Sequence, residues 1–571
     1  MNNRVDRLQN TLNRKFTTKI ECSQINDSIR LEGDLDTLSD WLSAGYLAAK
    51  DFGYKVINDI TISGVGPTSE PRLKEKTQRL KKNTYDVLII GGGVIGASVA
   101  RELSRYKISV CNLEKESDVA CHTSSRNDGM IHPGFAASPG TLKAELNVKG
   151  NRAYSQICEE LQVPLSRPGS LMLLKSRLYL PLIPIMLDRA KKNGVDGEVR
   201  FLSKREVRRL EPNLSDDHFG AMNFPSAGQL SPYGLTIALA EHAVQNGVDI
   251  NFNTEVLEIQ REQDRIEAVR TNNGMIHCKV LINAAGCWSD RIAELAGDRY
   301  FSLHFRKGVD CILDKALSEE QTMIAANPIL FKTHASHSKG GGIVPCVEGN
   351  ILIGPTAQEI FSRDDYATHL EDFDALFKIM SLNKRFSKKD IITYFAGIRS
   401  CSWNEDFIIE KSPVLENMIH IAGIQSPGLA SAPAIGEKVK GIVLKILGDV
   451  NLDPTYSQFR KVTPNVSLLN HVDKTELLFK RPDYGNIVCR CENISEGEIR
   501  DVLRSKIPPM TLDGIKKRTR SGSGRCHGAF CAPKILSIMS DELGIPIEDI
   551  EKNGHGSQIV MGKTKQGGTH D

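Results

Sequence analysis

Nothing in this 571-residue chain approaches the roughly 18 uninterrupted apolar residues of a membrane span. Its N-terminus, MNNRVDRLQNTLNRKF, lacks the apolar core of a secretory signal. Neither sign of charge is in excess. The 73 Lys and Arg stand against 70 Asp and Glu, and a net charge of +3 gives no reason to expect a nucleic-acid partner. Nine of the 13 cysteines stand singly between Cys22 and Cys401, which argues against a disulfide framework and for a reducing compartment. No internal repeat is found. With 40% hydrophobic and 25% charged residues, the expectation is a cytoplasmic globular protein that a partner subunit could bring to a membrane. The length exceeds one ordinary core and predicts several domains.

The other four cysteines are concentrated near the C-terminus, as Cys489-Arg490-Cys491 and Cys526-His-Gly-Ala-Phe-Cys531. Paired thiolates are ligands for a soft metal centre. Four of them suit a [2Fe–2S] cluster, and glycines before Cys526 would let backbone N–H groups turn toward its sulfides. Structural zinc takes four cysteines too, so ligand type alone leaves it in play beside free thiols. The basic run of Lys516, Lys517, Arg518, Arg520 and Arg525 reads as a solvated face, or as a dock for an acidic electron carrier.

A second site is written into residues 85–114. Tyr85–Ile90 is a buried-strand pattern, Gly91-Gly-Gly93-Val-Ile-Gly96 follows, and a helix is expected from Ala97. Gly91 permits the tight turn, Gly93 lets a pyrophosphate approach the backbone, and Gly96 lets helix and strand pack closely. The helix N-terminus supplies N–H donors and a positive dipole end. Glu114, closing the next strand, can accept ribose hydroxyl hydrogen bonds. This is a dinucleotide site, with FAD and NAD both open on the motif alone. Three later strand-and-turn segments favour a large planar cofactor: Val280–Asp290 with Ala285 and Gly286, Asn350–Thr356, and Ile419–Ala434 with Gly423, Pro427, Gly428 and Leu429.

On these residues the chain from 85 to 445 resembles the FAD-dependent D-amino-acid-oxidase-type superfamily, on its glycerol-3-phosphate dehydrogenase and L-2-hydroxyglutarate oxidase branch. The Gly91–Gly96 turn, SSRNDGMIHPG (Ser124–Gly134), Pro139–Tyr154, INAAGCWSD, FAGIRS (Phe395–Ser400) and GIQSPGLASAPA carry the resemblance. It implies non-covalent FAD in a two-lobed fold, with Ser125, Arg126 and Val256 among the cofactor contacts. Residues 485–535 are similar to the BFD-like [2Fe–2S] domain that follows the flavin domain in the anaerobic glycerol-3-phosphate enzyme, which makes Cys489, Cys491, Cys526 and Cys531 the cluster ligands. The expected fold class is α/β, a Rossmann-type FAD domain with an inserted β-sheet substrate domain, flanked by a small N-terminal α/β domain and a small C-terminal [2Fe–2S] domain. The expected boundaries are 1–65, a linker at 66–84, 85–448, a connection at 449–484, 485–535, and a frayed tail at 536–571.

Flavin oxidation of an anionic substrate needs a cation to hold it and a group to take a proton. An arginine pairs bidentately with carboxylate or phosphate. The resemblance puts the anion-binding arginine at Arg399, and His132 is the candidate proton acceptor. A structural ion pair for Arg399 and a structural hydrogen bond for His132 are the plain alternatives. Lys307 reads as a surface lysine before an anion contact, and Cys121, Cys287 and Cys401 as packing residues. The implied reaction is oxidation of a small anionic secondary alcohol, glycerol 3-phosphate first, then L-2-hydroxyglutarate or an imino acid. Electrons would leave through the cluster to an electron-acceptor protein or a quinone-linked subunit. A non-catalytic electron-transfer subunit is the alternative of another class. Residues 16–62, read as strands at Phe16–Cys22, Ser28–Leu31 and Lys55–Ile62 around a helix at Leu35–Asp51, resemble a BON-type module or an accessory domain. The extension departs from the glycerol-3-phosphate enzymes, which start at the flavin domain.

Overall fold

The computed structural model describes residues 2–64, 80–327, 340–466 and 469–562. Most of the expected linker and the last residues of the expected tail lie outside the described residues. The chain forms two units, Met1–Lys115 with Ala120–Tyr456, and Glu116–Val119 with Ser457–Asp571.

The first unit opens with α1 (Asn2–Lys15), β1 (Glu21–Ile25), β2 (Ser28–Leu35), α2 (Leu38–Phe52) and β3 (Val56–Ile62). β1 and β2 pair antiparallel, whereas β2 and β3 pair parallel. A parallel pair needs a crossover, and α2 supplies it. Thr37 caps α2, its hydroxyl accepting the Asp40 N–H at 3.1 Å. The strand expected at Phe16–Cys22 begins only at Glu21. Phe16 and Ile20 are instead buried in the turn after α1, a helix the alternation pattern did not announce. Ile29, Leu31, Trp41, Ala48 and Ile60 form the core of this module, and Trp403 from the far end of the unit completes it.

The nucleotide half comprises β4 (Thr84–Ile90), α3 (Val94–Leu103), β5 (Val110–Leu113), α4 (Leu142–Leu161) and β6 (Gly274–Asn283). Asp249–Asn251, β5, β4 and β6 lie side by side in parallel. Helices cover both faces of such a sheet, so its strands read as continuous apolar runs rather than alternating ones. Val87, Leu88 and Ile89 are all fully buried. A nine-stranded sheet forms the second lobe, built on β7 (His304–Leu313) and β8 (Ile391–Cys401). The chain returns to the first sheet through β9 (Met418–Ala422), parallel to β6, and ends its α/β part in α5 (Gly428–Leu447).

In the second unit the hairpin β10 (Ile487–Cys489) and β11 (Ile494–Ser495) leads into α6 (Glu496–Leu503), α7 (Leu512–Thr519) and α8 (Ala532–Leu543). Ser495 and Glu498 close a capping box at α6. Ile499, Ile515, Ile535, Met539 and Ile550 share one core. The fold therefore continues past residue 535, where a frayed tail was expected, because the apolar spacing of Ile535, Leu536 and Met539 places one face of α8 inside. The span expected to be a connection holds a helix, His471–Lys480.

Candidate active site

The nucleotide half is built from backbone. A cleft of about 650 Å³ is lined by Gly91, Gly93, Glu114, Val256, Ala285 and Gly286 among others. Its glycines do different work. Gly91 has φ of +111°, and a Cβ there would lie 2.5 Å from the Ala284 carbonyl oxygen. A Cβ on Gly96 would lie 2.0 Å from the Gly91 carbonyl oxygen, so Gly96 serves packing and does not line the cleft. A Cβ on Gly93 would meet only Ser124 Oγ, at 3.1 Å. Its missing side chain leaves the space a pyrophosphate needs beside the first turn of α3. The buried Glu114 carboxylate accepts the Gly92 N–H at 2.6 Å. This donor set and this space fit a dinucleotide.

A second cavity of about 200 Å³ shares Gly93, Thr123, Ser124, Ala284 and Gly286 with the first and runs on toward β7 and β8. Here charged side chains enter the wall. Strand alternation decides which residues face it. Arg306, Gly308 and Asp310 of β7 line the cavity, as do Gly397 and Arg399 of β8. The antiparallel register sets Arg306 opposite Arg399 and Gly308 opposite Gly397. A Cβ on Gly308 would lie 2.7 Å from the Arg399 guanidinium, so glycine there makes its room. Lys307, one residue out of phase, is buried away from the cavity, with its ammonium 3.0 Å from both Asp365 and the Ala367 carbonyl. The surface-lysine expectation for Lys307 fails, and the anion-contact alternative has no support either.

Like charges set directly opposite on paired strands repel, and the structure treats the two arginines differently. Arg306 is buried between carboxylates, donating to Glu359 at 2.6 Å and to Glu405 at 2.8 Å. Arg399 has no ion pair and no side-chain hydrogen bond among the described residues. Asp310 is fully buried beside them, with no hydrogen-bond partner at Oδ1. Burial, and then the Asp128 charge, hold its carboxyl well above the usual range, against the pull of Arg399. His132 lines the same cavity with Nε2 3.2 Å from Ser426 Oγ. Its carbonyl is tied down by the side-chain amides of Asn147 and Asn151 at 2.7 and 2.9 Å.

Most of the expected site residues come together in these two cavities. Arg126 lines the second, lying 4.4 Å from the Tyr366 ring, and Pro427, Gly428 and Leu429 line it at the start of α5. Ser125 and Gly423 do not line either cavity. The neighbouring serine does: Ser124 Oγ accepts the Val94 N–H at 2.9 Å at the start of α3, while Ser125 turns its hydroxyl onto the His122 carbonyl. Gly423, with φ of +64°, shapes the turn from behind, against Ser402. Burial pushes the Cys287 and Cys401 thiols up to about 12, as expected of packing residues. Sequence reasoning missed Arg306, Asp310 and Gln425. Arg306 and Asp310 flank Gly308 at i−2 and i+2 and share its phase, but nothing in the sequence marked that phase as the one facing the cavity.

In the second unit the cysteines stand as two pairs. Cys491 Sγ and Cys526 Sγ are 3.6 Å apart, and Cys489 lies close enough to Cys531 to raise its thiol pKa, behind burial. A Cβ on Gly524 would lie 2.5 Å from the Cys491 Cβ, so a glycine is needed where the two strands of ligands meet. Among the described residues no group of three or more His, Cys, Asp or Glu is arranged around one ion position. Two thiol pairs fit the four-thiolate ligand set of a [2Fe–2S] cluster.

Comparison with known proteins assigns the two regions to known families. The family profile described as FAD dependent oxidoreductase matches residues 86–440, and that described as BFD-like [2Fe-2S] binding domain matches residues 487–541. FAD and a [2Fe–2S] cluster are the cofactors of these two regions. A glycerol 3-phosphate dehydrogenase of Caloramator mitchellensis is 37% identical over 482 residues, which is 84% of this chain and 99% of that protein. An L-2-hydroxyglutarate dehydrogenase of Escherichia coli K12 is 26% identical over 408 residues, 64% of this chain and 94% of that protein. Among solved structures, the dithionite-reduced L-alpha-glycerophosphate oxidase of Mycoplasma pneumoniae with FAD bound superposes with a TM-score of 0.62 at 28% identity, covering 67% of this chain and all of that one. Among the described residues no helix is long and apolar enough to cross a membrane.

Proposed function

Because the chain belongs to the FAD-dependent oxidoreductase family and carries a BFD-like [2Fe–2S] domain behind its flavin domain, we propose that it oxidises sn-glycerol 3-phosphate to dihydroxyacetone phosphate. The electrons leave through the cluster domain to an acceptor protein or a quinone-linked subunit. One observation carries the substrate class: Arg399 is a cavity-lining guanidinium with no carboxylate ion pair among the described residues, opposite an arginine that has two. A planar fork left unpaired in a cavity is an anion site, and phosphate satisfies it bidentately.

The roles of the chain's own residues follow from position. Arg399 holds the phosphate and Gly308 leaves space for the guanidinium. His132 takes the proton of the substrate hydroxyl on Nε2, where Ser426 Oγ orients the ring. Burial and the Asp128 charge favour the protonated form of Asp310, which does not cancel the Arg399 charge. Bound flavin supplies the two-electron acceptor for the substrate C–H, and the cluster accepts electrons one at a time. Cys489, Cys491, Cys526 and Cys531 hold that cluster.

An anaerobic substrate panel tests the reading. Glycerol 3-phosphate, L-2-hydroxyglutarate and a set of imino acids are added to the purified holoprotein, and flavin and cluster absorbance are followed together. Glycerol 3-phosphate is expected to bleach both. Bleaching by L-2-hydroxyglutarate alone moves the substrate to a 2-hydroxy acid, whose carboxylate Arg399 would hold equally well. If no small molecule reduces the flavin while a partner protein does, the chain is an electron-transfer subunit and the dehydrogenase reading fails.

A further inference from the structure

The N-terminal module, residues 2–62, precedes both family matches, yet one of its side chains enters the charge network behind the pocket. Tyr46, on α2, donates its hydroxyl to Glu405 at 2.9 Å. Glu405 also accepts from Arg306 at 2.8 Å and from the Gln425 side-chain amide at 2.8 Å. Arg306 and Gln425 line the cavity together with Arg399 and Ser426. The hydroxyl of the N-terminal module thus accepts from one group of the pocket wall, Arg306, at 3.4 Å, and reaches a second, Gln425, through Glu405.

Three further features tie the module to this place. Gly45 packs flat on Trp403, where a Cβ would come within 2.1 Å of the indole, and Trp41 lies 5.0 Å from the same ring. Trp403 follows directly on β8, the strand of Arg399. Glu405 has φ of +62°, a left-handed backbone that asparagine or glycine adopts more easily, so the loop accepts strain to present a carboxylate there. Burial favours the neutral form of that carboxylate, but the charge of Arg306 outweighs it and keeps Glu405 ionised. Burial and the charges of Glu405 and Glu359 push the Tyr46 hydroxyl far up, so it remains a donor.

We propose that the N-terminal module is part of the pocket's machinery: Tyr46 is a positioning residue that, through Glu405, fixes Arg306 and Gln425 and so sets how tightly the pocket takes an anionic substrate. The physical reason is the repulsion across β7 and β8. Arg306 faces Arg399, and the less firmly its guanidinium is drawn back onto Glu405, the more the two like charges push apart and the further Arg399 is displaced from the position in which it holds the substrate anion. The proposal rests on the reading of Arg399 as the anion clamp.

The test uses the full-length holoprotein as Tyr46→Phe, Glu405→Gln, the double variant, and Arg399→Ala. Inorganic phosphate is titrated while the flavin spectrum is followed, and KM and kcat are measured with glycerol 3-phosphate. Tyr46→Phe is expected to weaken phosphate and raise KM by about three- to tenfold, more than it lowers kcat, with flavin content unchanged. The double variant is expected to bind phosphate no more weakly than Glu405→Gln alone, because the two residues act in one chain. Phosphate affinity unchanged in Tyr46→Phe overturns the proposal, whatever happens to the melting temperature. So do losses that multiply in the double variant. If Glu405→Gln does not fold, Tyr46→Phe alone decides. If Arg399→Ala leaves phosphate affinity and KM unchanged, the anion-clamp reading falls and takes this proposal with it. If Arg399→Ala weakens both while Tyr46→Phe weakens neither, only the role of the module falls.

Discussion

The two halves of the cavity are made of different materials. On the nucleotide side the Gly-rich turn is backbone: Gly91 and Gly93 at the cleft, Gly96 packed behind them, and the start of α3, held by the Glu114 carboxylate. On the β7–β8 side the wall is charge: Arg306, Arg399 and Asp310, backed by Glu359 and Glu405. Backbone walls are set by steric fit, so they fail abruptly and are indifferent to pH. Walls of charge are set by pairing, so they fail by degrees and depend on which group carries a proton. The first half suits a cofactor that is always the same, and the second suits choosing a substrate.

The sharpest break in that contrast comes from Gly96→Val. Its Cβ would fall 2.0 Å from the Gly91 carbonyl oxygen, which is backbone and cannot swing aside. The strand–turn–helix unit must then open, at a cost of more than about 4 kcal/mol. The expected outcome is protein purified without flavin, read from the visible spectrum, at any pH. A yellow, normally stable variant would mean that the turn is softer than a steric wall.

Arg399→Ala breaks the other half by degrees. Losing charge-assisted bonds to the substrate anion is expected to cost about 2–3 kcal/mol, on the order of a hundredfold in kcat/KM, with flavin still bound. Steady-state kinetics check this, and an unchanged KM would leave Arg399 a structural residue. Glu114→Gln crosses the divide, because Glu114 is the side-chain charge that bonds the Gly-rich turn itself. It keeps an acceptor for the Gly92 N–H, so only the charge assistance is lost. Flavin affinity is expected to weaken by about tenfold, measured by equilibrium dialysis, without a change in substrate KM.

The same contrast explains what the sequence disclosed. A backbone-built wall needs glycine at fixed spacing between a strand and a helix, and Gly91, Gly93, Gly96 and Glu114 were legible for that reason. The paired cysteines were legible in the same way, because ligand chemistry and spacing sit close together in the chain. Arg306 and Asp310 were not. They lie in a strand whose residues are nearly all buried, so hydropathy does not report which phase faces the cavity, and Lys307 looked as plausible as its neighbours. Glu405 and Tyr46 are 359 residues apart, and no local pattern could join them. Ser124 and Ser125 differ only in how a short turn, Thr123–Ser125, orients them.

Asp310→Asn is read from its pH dependence and not from the loss of a contact, and it sharpens the contrast most. Burial and Asp128 hold the Asp310 carboxyl well above its usual value in the folded protein, while in the unfolded chain it titrates near about 3.9. A raised folded value gives a stability contribution that is complete below the unfolded value and is lost as pH rises through the folded one. Between the two, the unfolded chain binds fewer protons, and the wild-type protein loses at most about 1.4 kcal/mol of stability per pH unit. Asparagine has the shape of the neutral acid and does not titrate. The melting temperature of the variant relative to wild type is therefore expected to climb as pH rises from about 4, and to level off once the wild-type carboxyl ionises in the folded state. Thermal melts across that range check it. A difference that stays constant with pH would mean that Asp310 is ionised throughout and already pairs with Arg399, and the unpaired guanidinium on which the substrate-choosing wall depends would no longer be available to an anion.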